Sequence, residues 1–361
     1  MQPFDAARAL SAPAPVSDPA SPPATSGGGG PRATSNLDVE RLCAHHRLMW
    51  RIRAFEELAL RGLHEKLVLG AIHPSIGQEA VAAGVCPNLD RHDVLLSTHR
   101  GHGHTLAKGA DPLAMMRELF GRAGGNCGGK GGSMHIADFG VGMLGANGVV
   151  AANIVIAAGA AHAVKLKRES KVVCCIFGDG AINRGPFLEG LNWAKVFGLP
   201  VLFVCEDNGF AATTRTRAMT AGEGPSARAR SLGIAAEEVD GNDVLAVDAA
   251  ARQAIAALRD GGGPRFLHLH TYRLTGHTGA DPAAYRPKEE VEARWKDDPI
   301  SRAAALLEAA GHPTASLAEA RNAAYAEMIA AYEAARETPF PPVDQAFADV
   351  QDVGDPRAEA F

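Results

Sequence analysis

No stretch of this chain approaches the roughly 18 uninterrupted apolar residues of a bilayer-spanning helix, so nothing in it reads as a transmembrane segment. A basic excess is missing too. With 36 Lys and Arg against 41 Asp and Glu, the formal net charge is −5, which gives no electrostatic case for nucleic acid. Cysteine is sparse and unpatterned: Cys43, Cys86, Cys127, Cys174, Cys175 and Cys205 show no metal-ligand spacing. Three of them (Cys174, Cys175, Cys205) fall in strand-like runs, where thiols act as small hydrophobes. A reducing cytoplasm is the expected setting. Residues 1–36 are rich in Ala, Pro, Ser and Gly, without the apolar core of a secretion signal or the Arg-rich amphipathic pattern of an organelle presequence. They are expected as a disordered tail.

What is present fits a large α/β protein: 361 residues, 46% hydrophobic and 21% charged. Two short motifs are the most informative. Gly178-Asp179-Gly180 follows the run Val172-Val173-Cys174-Cys175-Ile176-Phe177, and Asp207-Asn208 follows Val201-Leu202-Phe203-Val204-Cys205. Each run is short enough only for a buried strand. Between them Pro186 can open a helix and Gly198 close it, with Phe187, Leu191 and Ala194 on one face. A strand–helix–strand unit of this kind requires parallel pairing. Asp179 and Asn208 are then expected just past the carboxyl ends of neighbouring strands, where open α/β sheets bind ligands. A carboxylate and an amide oxygen beside glycines suit a hard cation that prefers phosphate oxygens, so the site reads as Mg²⁺-diphosphate.

The same organisation recurs along the chain. Apolar spacing predicts helices over residues 37–69 and 79–85, a small-residue helix over 153–167, another over 246–258, and Ala-rich helix from 299 to 335. Strands are expected at 94–96 and 266–270. Four strand candidates are thus each followed by polar side chains: Thr98 to Arg100, Asp179, Asn208, and Arg273 to His277. The expected fold class is α/β, a doubly wound, mainly parallel sheet with helices on both faces and helical arms at both ends. Residues 37–298 form its main domain, and 299–361 a helical C-terminal arm with a Pro-rich tail.

The spacing of Gly-Asp-Gly and Asp207-Asn208 resembles the thiamine diphosphate motif. From about Arg41 to Trp295 the chain is similar to the alpha subunit of the first component of a pyruvate- or acetoin-type dehydrogenase complex. Ser97-Thr98-His99-Arg100-Gly101-His102-Gly103-His104 and Gly131-Gly132-Ser133-Met134-His135-Ile136-Ala137-Asp138 look closest to acetoin-type members. The resemblance implies a thiamine diphosphate-binding fold with Asp179, Asn208 and the carbonyl of Phe210 as Mg²⁺ ligands. Gly180 and Ala181 would offer N–H groups to the phosphates, Arg100 and Arg273 would contact them with His99 alongside, and Gly148 and Val150 would hold the aminopyrimidine. His277 would meet the diphosphate end and shape the channel, and His73 the substrate. It further implies a beta subunit in an α₂β₂ heterotetramer, a lipoyl-bearing acyltransferase partner, and inactivity of this chain alone. Asp207, where the family has Asn, Thr275, where it has His, and Arg184 depart from the pattern. These departures leave room for a catalytically silent binding or regulatory relative. The shared scaffold also accommodates a non-oxidative thiamine enzyme half or a branched-chain 2-oxo acid dehydrogenase alpha subunit.

Three further features read as structural. Gly128 to His135 imitates a phosphate-binding loop, but Gly131 stands where Ser or Thr should hold Mg²⁺, and no clear strand precedes it. His102 and His104 are expected as scattered basic groups in a surface turn. His268 and His270, two apart and so on one strand face, are expected as packed or partly exposed structural histidines.

Overall fold

The computed structural model describes residues 38–68 and 70–348. The expected N-terminal tail lies outside the described residues, as does the end of the C-terminal segment.

Six parallel strands make the sheet: β1 (Val94–Thr98), β2 (Met143–Asn147), β3 (Val173–Gly178), β4 (Val201–Asp207), β7 (Ala235–Asp240) and β8 (Arg265–His270). A two-residue hairpin, β5 (Phe210–Ala211) with β6 (Thr214–Arg215), follows β4. The spatial order is β2-β1-β3-β4-β8-β7. β1 has β2 on one side and β3 on the other, so connections leave it in opposite directions, the arrangement that opens a crevice at the strands' carboxyl ends.

Strand side chains alternate between two cores because successive Cβ atoms point to opposite faces. Cys174, Ile176, Leu202, Val204, Leu267 and Leu269 pack on one side with residues of α1 (Val39–His64), α2 (Glu79–Val85) and α8 (Val244–Arg259). On the other side Val173, Cys175, Phe177, Val201, Phe203 and Cys205 meet α5 (Ala152–Lys167) and α6 (Gly185–Val196). Every position of β3 before Gly178 is therefore buried, and the run is apolar throughout. In α6, Pro186 sits in the first turn and Phe187, Leu191 and Ala194 are buried, as the spacing predicts.

The remaining helices are α3 (His102–Ala107), α4 (Pro112–Leu119), α7 (Pro225–Ser231), α9 (Lys288–Arg294), α10 (Pro299–Ala309) and α11 (Thr314–Glu337). Met328, Tyr332 and Ala335 of α11 belong to the same core cluster as Ile52 and Phe55 of α1, so the segment after residue 299 packs into the body of the sheet domain. No helix among the described residues is long and apolar enough to cross a membrane.

Candidate functional site

A cavity of about 350 Å³ opens at the carboxyl ends of the strands. Segments leaving β1 (Thr98, His99, Arg100), β2 (Gly148 to Ala151), β3 (Gly178 to Ala181), β4 (Asn208, Phe210) and β8 (Arg273, His277) line it, with His73 and Gln78 from the approach to α2. The residues singled out from sequence as His73, His99, Arg100, Gly148, Val150, Asp179, Gly180, Ala181, Asn208, Phe210, Arg273 and His277 all meet at this one wall.

One end suits a cation. Asp179, 2% exposed, directly follows β3, and its carboxylate accepts a hydrogen bond from Thr216. Burial, and then the neighbouring Asp207 carboxylate, push its pKa well above the ordinary carboxylate range. A buried carboxylate so disposed lacks a counter-ion, which is the condition a metal relieves. Burial also works against ionised Asp207, but the hydrogen bond and charge of His268, with the Gly209 N–H, outweigh it and hold that pKa low. The Asn208 amide nitrogen donates to Gln78 Oε1 at 2.9 Å, and its oxygen accepts from the Phe210 N–H at 3.1 Å. At Gly180 a Cβ would stand 2.7 Å from that of Ala211, so only glycine lets the hairpin close on this turn.

The other end suits an anion. Arg100 and Arg273 are 5% and 1% exposed. Burial, then the charge of Arg273, lowers the Arg100 pKa to about 10. The rings of His73, His99 and His277 lie edge to face, with centroids 4.6, 4.9 and 5.6 Å apart. Burial, then the Arg100 charge, holds His73 at about 3 and His277 at about 4, so these imidazoles stay neutral. Arg273 Nε and His73 Nδ1 are buried without a partner among the described residues. Two desolvated guanidiniums facing one cavity match the doubly charged end of a diphosphate. The residues present therefore fit a magnesium-held diphosphate cofactor.

Two sequence readings need correction. His102 and His104 do not sit in a surface turn; they form part of α3 and are 0% and 2% exposed. His102 Nδ1 lies 2.9 Å from Glu56, and His104 Nε2 lies 3.0 Å from Glu206. Each ring also reaches a serine: His102 to Ser133 at 2.9 Å and His104 to Ser97 at 2.8 Å. The strands Met143–Asn147 and Ala235–Asp240 were also not expected. The first is hidden in a glycine-dense stretch, and the second carries Glu237, Glu238 and Asp240 on a half-exposed edge.

Gln78, Thr216 and Glu206 border or support the cavity and carried no local sequence signal. The segment from Cys127 to Gly132 is indeed a nest, but for the protein's own carboxylate. The N–H groups of Cys127, Gly129, Gly131 and Gly132 donate to Glu118 at 2.8, 2.8, 2.7 and 3.0 Å. His268 is buried and bonded to Asp207, and His270 is exposed, in keeping with the structural reading.

Residues 47–344 match the sequence model of the family described as "Dehydrogenase E1 component". The chain is 45% identical over 255 residues to the acetoin:2,6-dichlorophenolindophenol oxidoreductase alpha subunit of Bacillus subtilis, covering 71% of this chain and 77% of that protein. It is 38% identical over 317 residues to the pyruvate dehydrogenase E1 component alpha subunit of Zymomonas mobilis, covering 87% of this chain and 90% of the relative. Against the somatic mitochondrial counterpart of Homo sapiens the identity is 37% over 273 residues, with 75% and 69% covered. A parallel sheet that gathers an unpaired carboxylate and two buried arginines at its carboxyl edge, matched across most of its length by these subunits, belongs to the dehydrogenase E1 component family.

Proposed function

We propose that this chain is the alpha subunit of a thiamine diphosphate- and Mg²⁺-dependent dehydrogenase that cleaves acetoin or pyruvate and passes the acetyl unit to a lipoyl carrier. The observation that carries this reading is the convergence of Asp179, Asn208, Arg100 and Arg273 on one cavity. Thiamine diphosphate, the cofactor the family implies, supplies a nucleophilic carbon and an electron sink for the cleaved bond. This chain's part is binding and orientation. Asp179, Asn208 and the Phe210 carbonyl hold Mg²⁺, while Gly180 and Ala181 direct N–H groups at the phosphates. Arg100 and Arg273 neutralise phosphate charge. Gly148 and Val150 support the aminopyrimidine. Neutral His73 and His277 offer a hydrogen bond or a lone pair near the reacting end without adding positive charge, and His99 packs against both.

The resemblance assigns the glutamate that activates the aminopyrimidine to a beta subunit, so the working unit is an α₂β₂ heterotetramer that docks a lipoyl-bearing acyltransferase. Support comes from the apolar surface beside the cavity mouth. Val149 and Val150, which line the cavity, and Val155 and Ile156 at the start of α5 are exposed. Contiguous exposed apolar surface of this kind marks a protein contact. A cytoplasmic setting fits six cysteines that are all unpaired.

The test is dichlorophenolindophenol reduction with acetoin or pyruvate, thiamine diphosphate and Mg²⁺, comparing this chain alone with the chain co-expressed with its beta partner. Activity is expected only with both. Full turnover by this chain alone, or calorimetry showing no thiamine diphosphate uptake with the partner present, would overturn the reading.

A further inference from the structure

We propose a second cation site, separate from the diphosphate cavity, built from Asp207, His268 and His270 with Glu238 at its rim, and suited to a borderline divalent ion such as Zn²⁺.

The sheet register creates it. Asp207 of β4 pairs with His270 of β8, and Glu238 of β7 pairs with His268. Register partners in a parallel sheet share a face, and so do residues two apart on one strand. Leu267 and Leu269 take the opposite face and pack in the core with α2 and α8, so both imidazoles point to the α7 side. Their ring centroids are 4.0 Å apart. One ligand atom each from Asp207, His268 and His270 fall within 4.8 Å of one another. His268 Nε2 is 2.8 Å from Asp207 Oδ2, and His270 Nε2 is 3.4 Å from Glu238 Oε2.

The neighbourhood favours a metal over a bare ion pair. Ser226 Oγ lies 3.2 Å from His268 Nδ1. The cation would replace the proton that Nε2 donates to Asp207, and a hydroxyl that accepts the Nδ1–H then holds the ring in place, as second partners do for ligand histidines. The nearby Arg230 is already engaged, its Nη1 3.3 Å from Glu238 Oε1 and its Nη2 3.0 Å from the Ala236 carbonyl. His270 is half exposed, which leaves an entry path and room for water ligands. Two imidazoles and carboxylate oxygens suit Zn²⁺ or Co²⁺, whereas Mg²⁺ prefers an all-oxygen shell. The other three-residue group, His73, His99 and His277, has comparable spacing. It stands against Arg100 and Arg273, whose charge repels a cation. None of Asp207, His268 or His270 lines the diphosphate cavity.

The test uses the full chain stripped with a chelator and then given excess Mg²⁺ to fill oxygen-only sites. Zn²⁺ uptake is measured by equilibrium dialysis, and Co²⁺ uptake by its visible absorption. The wild type should bind one equivalent. His270→Ala, at an exposed position that leaves the Asp207–His268 pair intact, should weaken binding at least about tenfold. His277→Ala should leave it unchanged, and circular dichroism confirms that each variant is folded. No bound equivalent in the wild type, unaltered affinity in His270→Ala, or loss confined to His277→Ala would overturn the proposal.

Discussion

Gln78 fixes Asn208. The Asn208 amide nitrogen donates to Gln78 Oε1 at 2.9 Å, which commits its oxygen to the side where Phe210 N–H approaches at 3.1 Å. Without Gln78 only the Phe210 N–H holds the amide's orientation, and its nitrogen loses its partner. Gln78→Leu should therefore weaken Mg²⁺-dependent thiamine diphosphate binding by about 10- to 100-fold, the usual cost of losing a ligand's supporting partner. Titration calorimetry of the co-expressed complex reads this directly. Wild-type affinity in the variant would remove Gln78 from the site.

Asp179 is costly in the metal-free chain because it is buried beside Asp207 and its pKa is driven up. Asp179→Ala should abolish cofactor binding, with a loss exceeding the roughly 100-fold upper figure for a supporting residue. Its metal-free thermal midpoint should equal or exceed the wild type's, since a strained carboxylate has been removed. A variant that keeps thiamine diphosphate affinity would end the metal assignment.

Glu118 is fully buried and receives four backbone N–H groups from the glycine-dense loop. Its removal leaves those donors unsatisfied. Glu118→Ala should cost on the order of 3–5 kcal/mol, by analogy with breaking a buried charged pair, and Glu118→Gln somewhat less. Urea unfolding monitored by fluorescence checks both. A shift below about 1 kcal/mol for the alanine variant would mean the loop holds its shape without this anchor.

The cavity histidines predict an acid-sensitive fold. His73 and His277 have folded pKa values of about 3 and about 4, below the unfolded value near 6.5. Below pH 6.5 the unfolded chain binds protons that the folded chain refuses, so stability falls as pH drops from about 6.5 toward 4. Each histidine contributes a slope of up to about 1.4 kcal/mol per pH unit. Denaturant midpoints for cofactor-free protein at pH 7 and pH 5 should diverge less in His73→Asn than in the wild type. Equal divergence would show that these rings are protonated in the folded state.

The sequence by itself determined the sheet core and the Asp179–Asn208 end of the cavity. Val173 to Phe177 and Val201 to Cys205 are apolar at every position because both faces of these strands are covered, and strand-end motifs then mark where the carboxyl edge must lie. Parallel pairing brings Asp179 and Asn208 together without further information. Tertiary structure alone decided the rest. His102 and His104 look like loop residues in sequence. Their burial depends on Glu56 and Glu206, which come from distant elements and supply the partners that make a buried imidazole tolerable. Strand Met143–Asn147 carries too few β-forming residues to announce itself; its pairing with Leu95 to Thr98 supplies the missing stabilisation. Gln78 acquires its role only because the start of α2 meets the end of β4 in space. Local pattern encodes which side chains are buried, whereas the partner each polar group finds depends on segments that only folding brings into contact.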